Sequence, residues 1–191
     1  GEYAVSLYKR LTSDLGYSHE DLKDIIYSIP ASSIAYEFTR RFYEILDINV
    51  ENIAAGFNAY DLINVKNDKD EVDYERISSL LRQKRGFSKI TLRDEIKAGE
   101  KIVKFGAVIG NPPYQKGISE EKLNSSLSKQ LFPYYTILSM EITTNISSLI
   151  IPARWFAGDA QDKSFLKLRE FFKTKDTLSD LYYFEDTNSI F

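Results

Sequence analysis

The sequence predicts an α/β fold: an open, doubly wound, mostly parallel sheet covered by helices on both faces. Two observations carry this expectation. Stretches with helical apolar spacing alternate with short apolar runs of strand length along the whole chain. The 191 residues, 43% of them hydrophobic, are also long and apolar enough to bury one substantial core as a single domain.

Each element follows in order. "YAVSLYKRLTSDL" (3–15) places Ala4, Leu7, Tyr8 and Leu11 at helical spacing, and "DIIYSI" (24–29) reads as a short buried strand. "SSIAYEFTRRFYEIL" (32–46) is a helix with Ile34, Phe38, Phe42 and Ile45 on one face, and "NIAAGF" (52–57) is a weak strand. A charged insertion occupies about 64–103. "KFGAVIG" (104–110) is a strand, and "SKQLFPYYTILSMEIT" (128–143) is mostly helix, started or bent by Pro133. "ISSLIIP" (146–152) is a strand, "KSFLKLREFFKT" (163–174) a helix and "TLSDLYYF" (177–184) a final strand. Helices between consecutive strands make parallel pairing the expected connection.

Composition narrows the chemistry. With no Cys and a single His, the chain has no disulfide and no thiolate metal site, and any Ser-His or Cys-His triad would have to be built on His19. His19 lies in "GYSHEDL", a helix start, where a capping or solvated role is expected. No run is long enough to span a bilayer and no signal peptide is visible, so a cytoplasmic protein is the reading. The net charge of −3 is not that of a polycation. Local charge is uneven: "KNDKDEVDYER" (66–76) is acid-rich, and Arg82, Lys84, Arg85, Lys89, Arg93, Lys97, Lys101 and Lys104 follow it. A solvated helical insertion is favoured here over a phosphate-binding surface.

The stretch "AVIGNPPYQK" (107–116) is the one hardest to read as scaffold. An apolar strand ends in Gly110 and turns at once into Asn111, Pro112, Pro113 and Tyr114. The prolines fix φ, remove two N–H donors and hold Asn111 and Pro112 extended. A stiff corner results, at the carboxyl end of a strand, where ligands bind in sheets of this kind. The Asn111 side-chain oxygen and the Pro112 carbonyl can converge on one amine, beside the flat face of Tyr114. An amino group on a planar heterocycle such as adenine satisfies all three. Two acceptors on its hydrogens turn the nitrogen lone pair out of conjugation and aim it at an electrophile. That is catalysis by orientation, with no strong base needed.

These residues resemble the catalytic motif of the DNA adenine-specific methyltransferases, and "SLIIPARWFAG" (148–158) resembles the following strand and loop in the large methylases of restriction-modification systems. The resemblance implies a Rossmann-like fold of the S-adenosylmethionine-dependent methyltransferase type. It implies methyl transfer from S-adenosylmethionine to the exocyclic amine of an adenine flipped out of double-stranded DNA. Asn111, Pro112, Pro113 and Tyr114 would be the catalytic residues, and Gly1 and Asn111 would touch the cofactor. Trp155 and Phe156 read as buried anchors of their loop rather than as substrate contacts.

The chain also departs from the family. Its cofactor-binding strand and glycine-rich loop are missing, so that Gly1 is at most the last glycine of that loop. The expectation is a catalytic domain truncated at its N-terminal cofactor-binding strand and lacking the target-recognition domain. Pro30 stands where the family has a ribose-binding acid. Phe57, with Asp61 four residues later, stands where an acid often flanks the cofactor adenine. Weak cofactor binding follows, and self-association is one way for the strands to cover the gap. A catalytically impaired nucleic-acid-binding module of the same ancestry is the alternative, as is a methyltransferase acting on protein glutamine.

Overall fold

A computed structural model describes residues 2–83, 86–96, 102–115, 130–158, 160 and 163–185. It is a mixed α/β structure with seven helices and one small parallel sheet among these residues. Helix α1 (Glu2–Ser13) and the single turn α2 (His19–Leu22) lead into an extended stretch at 24–29. Ser18 starts α2 with a capping box: its hydroxyl accepts from the Asp21 N–H, and Asp21 accepts from the Ser18 N–H. His19 is fixed between elements, Nδ1 lying 3.0 Å from the Tyr8 hydroxyl and Nε2 3.3 Å from Asp47.

Helix α3 (Ser33–Ile45) connects the 24–29 stretch to a 3-10 turn at Val50–Asn52. The two strands expected around it meet as one parallel bridge, Ser28 with Ile53. Two bonds close it: Ser28 N–H to the Asn52 carbonyl (3.1 Å) and Ala54 N–H to the Ser28 carbonyl (3.0 Å). Helix α3 buries Thr39 and Tyr43, and Tyr43 lies in a cluster with Ala4, Leu22, Ile26, Ile48 and Ile53. The apolar row of Ile34, Phe38, Phe42 and Ile45 faces outward instead, with Phe38 63% and Ile45 77% exposed. Burial pushes the Tyr43 phenol up to about 12, its hydrogen bond to Ser28 opposing the shift.

The charged segment is packed rather than solvated. After α4 (Ala59–Leu62), helix α5 (Tyr74–Leu81) buries Ile77, Leu80 and Leu81 in the main core together with Phe87 and Ile90. A Cβ added at Gly86 would lie 2.5 Å from the Glu51 carbonyl oxygen, so glycine is what lets this segment lie against the Val50–Asn52 turn. Lys89 pairs with Glu51 at 2.6 Å across the same contact. Lys84, Arg85, Lys97 and Lys101 fall outside the described residues.

Strand β1 (Phe105–Gly110) pairs in parallel with β2 (Thr143–Leu149), in the register Ala107 to Ile146 and Gly110 to Leu149. Helix α6 (Phe132–Ile142) joins them, with Pro133 in its first turn, where a missing N–H costs nothing. This helix is apolar all round and serves two cores: Tyr135, Leu138 and Ile142 enter the main one, while Phe132 and Ile137 meet Trp155, Phe165 and Leu168. Helix α7 (Ser164–Lys175) closes the latter.

The final strand expected at 177–184 does not form. The segment is irregular, and Leu178, Leu181, Tyr182, Tyr183 and Phe184 are all exposed. Strand formation needs a ladder partner. Here the segment lies instead against side chains, through Thr177 on the Met140 sulfur and Tyr183 on the Phe156 ring.

Candidate active site

The Ser28–Ile53 pair and the β1–β2 pair share no main-chain ladder among the described residues. A cleft of about 410 Å³ lies between them, walled by 26–31 on one side and 108–113 on the other, with Tyr3 and Leu7 of α1 and Tyr135 and Leu138 of α6. Alternation fixes which main-chain groups face it. Ser28 turns its N–H and carbonyl to Ile53, and Gly110 turns its carbonyl to the Ile150 N–H (3.0 Å), so Tyr27, Ile29 and Ile109 turn theirs toward the cleft. Ile109 is 39% exposed.

The structure places Asn111, Pro112 and Pro113 directly after β1, in the lining of this cleft, and Tyr114 next in the chain. Both ends of the corner are tied. Gly110 bonds to the extension of β2, and the Tyr114 carbonyl accepts from Leu131 N–H at 2.9 Å, at the start of α6. Gln115 and Gln130 form an antiparallel bridge beside that bond. Among the described residues no main-chain donor meets the carbonyls of Asn111, Pro112 or Pro113.

The Tyr114 phenol is held above its ordinary range by partial burial and by the Tyr3 phenol nearby, while a hydrogen bond with the Asn111 side chain opposes the shift. Tyr3 is a residue the sequence reading missed, because its contact with the corner spans more than a hundred positions. Tyr135 beneath the corner donates its hydroxyl to the Ala59 carbonyl at 2.8 Å, and burial raises its pKa.

The positions at which the sequence departs from the family have other uses in the fold. Gly1 lies outside the described residues. Pro30 is buried and its carbonyl accepts from Ala59 N–H at 3.0 Å. Phe57 is part of the main core, and Asp61 Oδ2 is used locally, accepting from Asn58 N–H at 2.9 Å to cap α4. Among the described residues the cleft has no acidic or basic lining. No metal-binding group of His, Asp or Glu is found among them either, and no helix is long and apolar enough to cross a membrane.

The loop after β2 stands beside the corner. Trp155, in a 3-10 turn at Ala153–Trp155, is buried with its ring 5.4 Å from that of Phe172, as a loop anchor should be. Arg169 of α7 donates to the carbonyls of Trp155 (2.6 Å) and Gly158 (2.8 Å). Phe156 is not a buried anchor: it is 40% exposed against Tyr183.

The corner stands at the carboxyl end of a parallel strand, and comparison with known proteins gives the family. Residues 24–191 match the model of the Eco57I restriction-modification methylases, and the chain belongs to that family. It is 24% identical over 120 residues to an "uncharacterized adenine-specific methylase" of Mycoplasma pneumoniae, a match covering 60% of this chain. The chain spans about a quarter of that relative, 28% of its length. No solved structure matches the chain.

Proposed function

We propose that the chain is the target-amine half of an adenine-specific DNA methyltransferase of a restriction-modification system, within a Rossmann-like doubly wound domain. The observation that carries the reading is the Asn111–Tyr114 corner at the carboxyl end of β1, tied at both ends and with no main-chain donor on the carbonyls of Asn111, Pro112 or Pro113 among the described residues. Asn111 Oδ1 and the Pro112 carbonyl each take one hydrogen of a flipped adenine amine, and this orients its lone pair. Tyr114 stacks on the base, and the prolines keep the acceptors in place without competing donors. S-adenosylmethionine supplies the methyl group when bound. Label transfer by the full-length polypeptide tests the reading: methyl label should enter unmethylated duplex DNA, and label in protein glutamine with none in DNA would overturn it.

Tyr114 separates stacking from hydroxyl chemistry. Base-stacking aromatics are worth about 1–3 kcal/mol per base, so Tyr114→Ala should lower activity roughly tenfold to a hundredfold while Tyr114→Phe keeps most of it. Equal losses in the two variants would assign the work to the phenol oxygen and its Asn111 contact.

Residues 1–191 on their own should bind S-adenosylmethionine weakly or not at all, because Pro30 offers no side-chain acceptor and Asp61 is committed to capping α4. Calorimetric titration checks this. A one-to-one isotherm in the micromolar range would show that the ribose is held by other means.

A further inference from the structure

The loops after β1 and β2 are joined by a contact that the proposed function leaves unused. With the Gln115 amide turned so that its oxygen faces the guanidinium, Oε1 accepts from Arg154 Nη2 at 2.9 Å and from Nη1 at 3.2 Å. The opposite orientation sets amide donors against guanidinium donors, so the chemistry selects this one. Gln115 directly follows Tyr114. Arg154 belongs to a turn whose position is set independently of its own side chain, by the buried Trp155 and by Arg169 on two of the loop's carbonyls. A planar two-donor fork on one acceptor restrains that acceptor in direction as well as distance. The corner is therefore held from the α6 side through Tyr114 and Leu131, and from the β2 side through Gln115 and Arg154.

We infer that Arg154 is a positioning residue that acts through Gln115 to set where Tyr114 and the Asn111 acceptors stand. It touches neither substrate nor cofactor. An exposed arginine next to a site that takes DNA has an obvious rival role, a contact with a phosphate. The two roles differ in what they demand of the side chain. A phosphate accepts lysine as a point charge, whereas the Gln115 oxygen is held by the planar fork, which lysine lacks. They also differ in coupling, since positioning through Gln115 disappears once Gln115 is gone.

The inference rests on the methyl-transfer reading only for its effect on activity, so the test has one arm that needs no activity. In the full-length polypeptide, hydrogen exchange at the Leu131 amide reports the corner directly, because this amide donates to the Tyr114 carbonyl at 2.9 Å from a residue with 0% exposure. Arg154→Ala, Arg154→Lys and Gln115→Ala should each speed its exchange by about tenfold, and the Ala/Ala double variant should add nothing further. Unchanged exchange in Arg154→Ala would overturn the inference. In the second arm each single variant should lower the single-turnover methylation rate by about tenfold, the KM for DNA should stay within about twofold, and the double variant should match the singles. Rescue by Arg154→Lys, or a raised KM with a salt slope reduced by about one, would overturn it in favour of a phosphate contact. An unaltered polypeptide that methylates no adenine would refute the proposed function, and the exchange arm would still decide on Arg154.

Discussion

Asn111→Ala in the full-length polypeptide is expected to lower the methylation rate by several orders of magnitude with folding intact. Asn111 is exposed and follows the last residue of β1, so the substitution leaves no cavity and breaks no ladder bond. In the proposed function it removes one of two acceptors on the amine. With a single acceptor, the amine would keep its lone pair in conjugation with the ring, and orientation is the main source of rate in that proposal. Asn111→Asp should be milder, because a carboxylate still accepts a hydrogen bond. Near-normal turnover in Asn111→Ala, measured with methyl-labelled cofactor, would remove Asn111 from the reaction.

The second large effect is on stability. Trp155→Ala should cost about 3–5 kcal/mol, the range for truncating a large buried aromatic ring. Trp155 sits in a cluster with Phe132 and Leu168, both fully buried, and its ring is also 4.4 Å from that of Phe156. The loss reaches function by a stated route, since the same ring positions the turn that carries Arg154 to Gln115. Denaturant titration measures it. Trp155→Phe should recover a large part of the midpoint shift, and a Trp155→Ala midpoint within error of the unaltered protein would mean that α7 and α6 close the cavity by themselves.

Much of this architecture could be read from the chain because its elements are locally determined. Pro133 marks the start of α6, the apolar run at 104–110 ends where Gly110 and the prolines end it, and the helix at 163–174 is observed at Ser164–Lys175. What could not be read depends on neighbours. Helical spacing placed Ile34, Phe38, Phe42 and Ile45 on one face, but spacing does not say whether anything packs there, and Thr39 and Tyr43 face the core instead. In the charged segment, the count of acids and bases masked Ile77, Leu80 and Leu81, which have the spacing of a buried stripe. "TLSDLYYF" has strand composition without a ladder partner in the structure.

The candidate site divides the same way. The corner is a contiguous motif whose stiffness follows from two prolines, so it was visible at once. Tyr3 and Arg154 reach it from other elements, and no local pattern announces either contact. The departures at Pro30 and Phe57 were visible as missing acids. Their structural meaning came from the fold: Pro30 is engaged with Ala59, Phe57 is core, and the nearby Asp61 is a helix cap.

The central claim is that the Asn111–Tyr114 corner directs a methyl group to the exocyclic amine of adenine. Nucleoside analysis tests it most directly: unmethylated duplex DNA is incubated with the full-length polypeptide and methyl-labelled S-adenosylmethionine, then digested and resolved by mass spectrometry. All label should appear as N6-methyladenine, and Asn111→Ala should abolish it. Label in cytosine, or N6-methyladenine formed equally well by Asn111→Ala, would contradict the account.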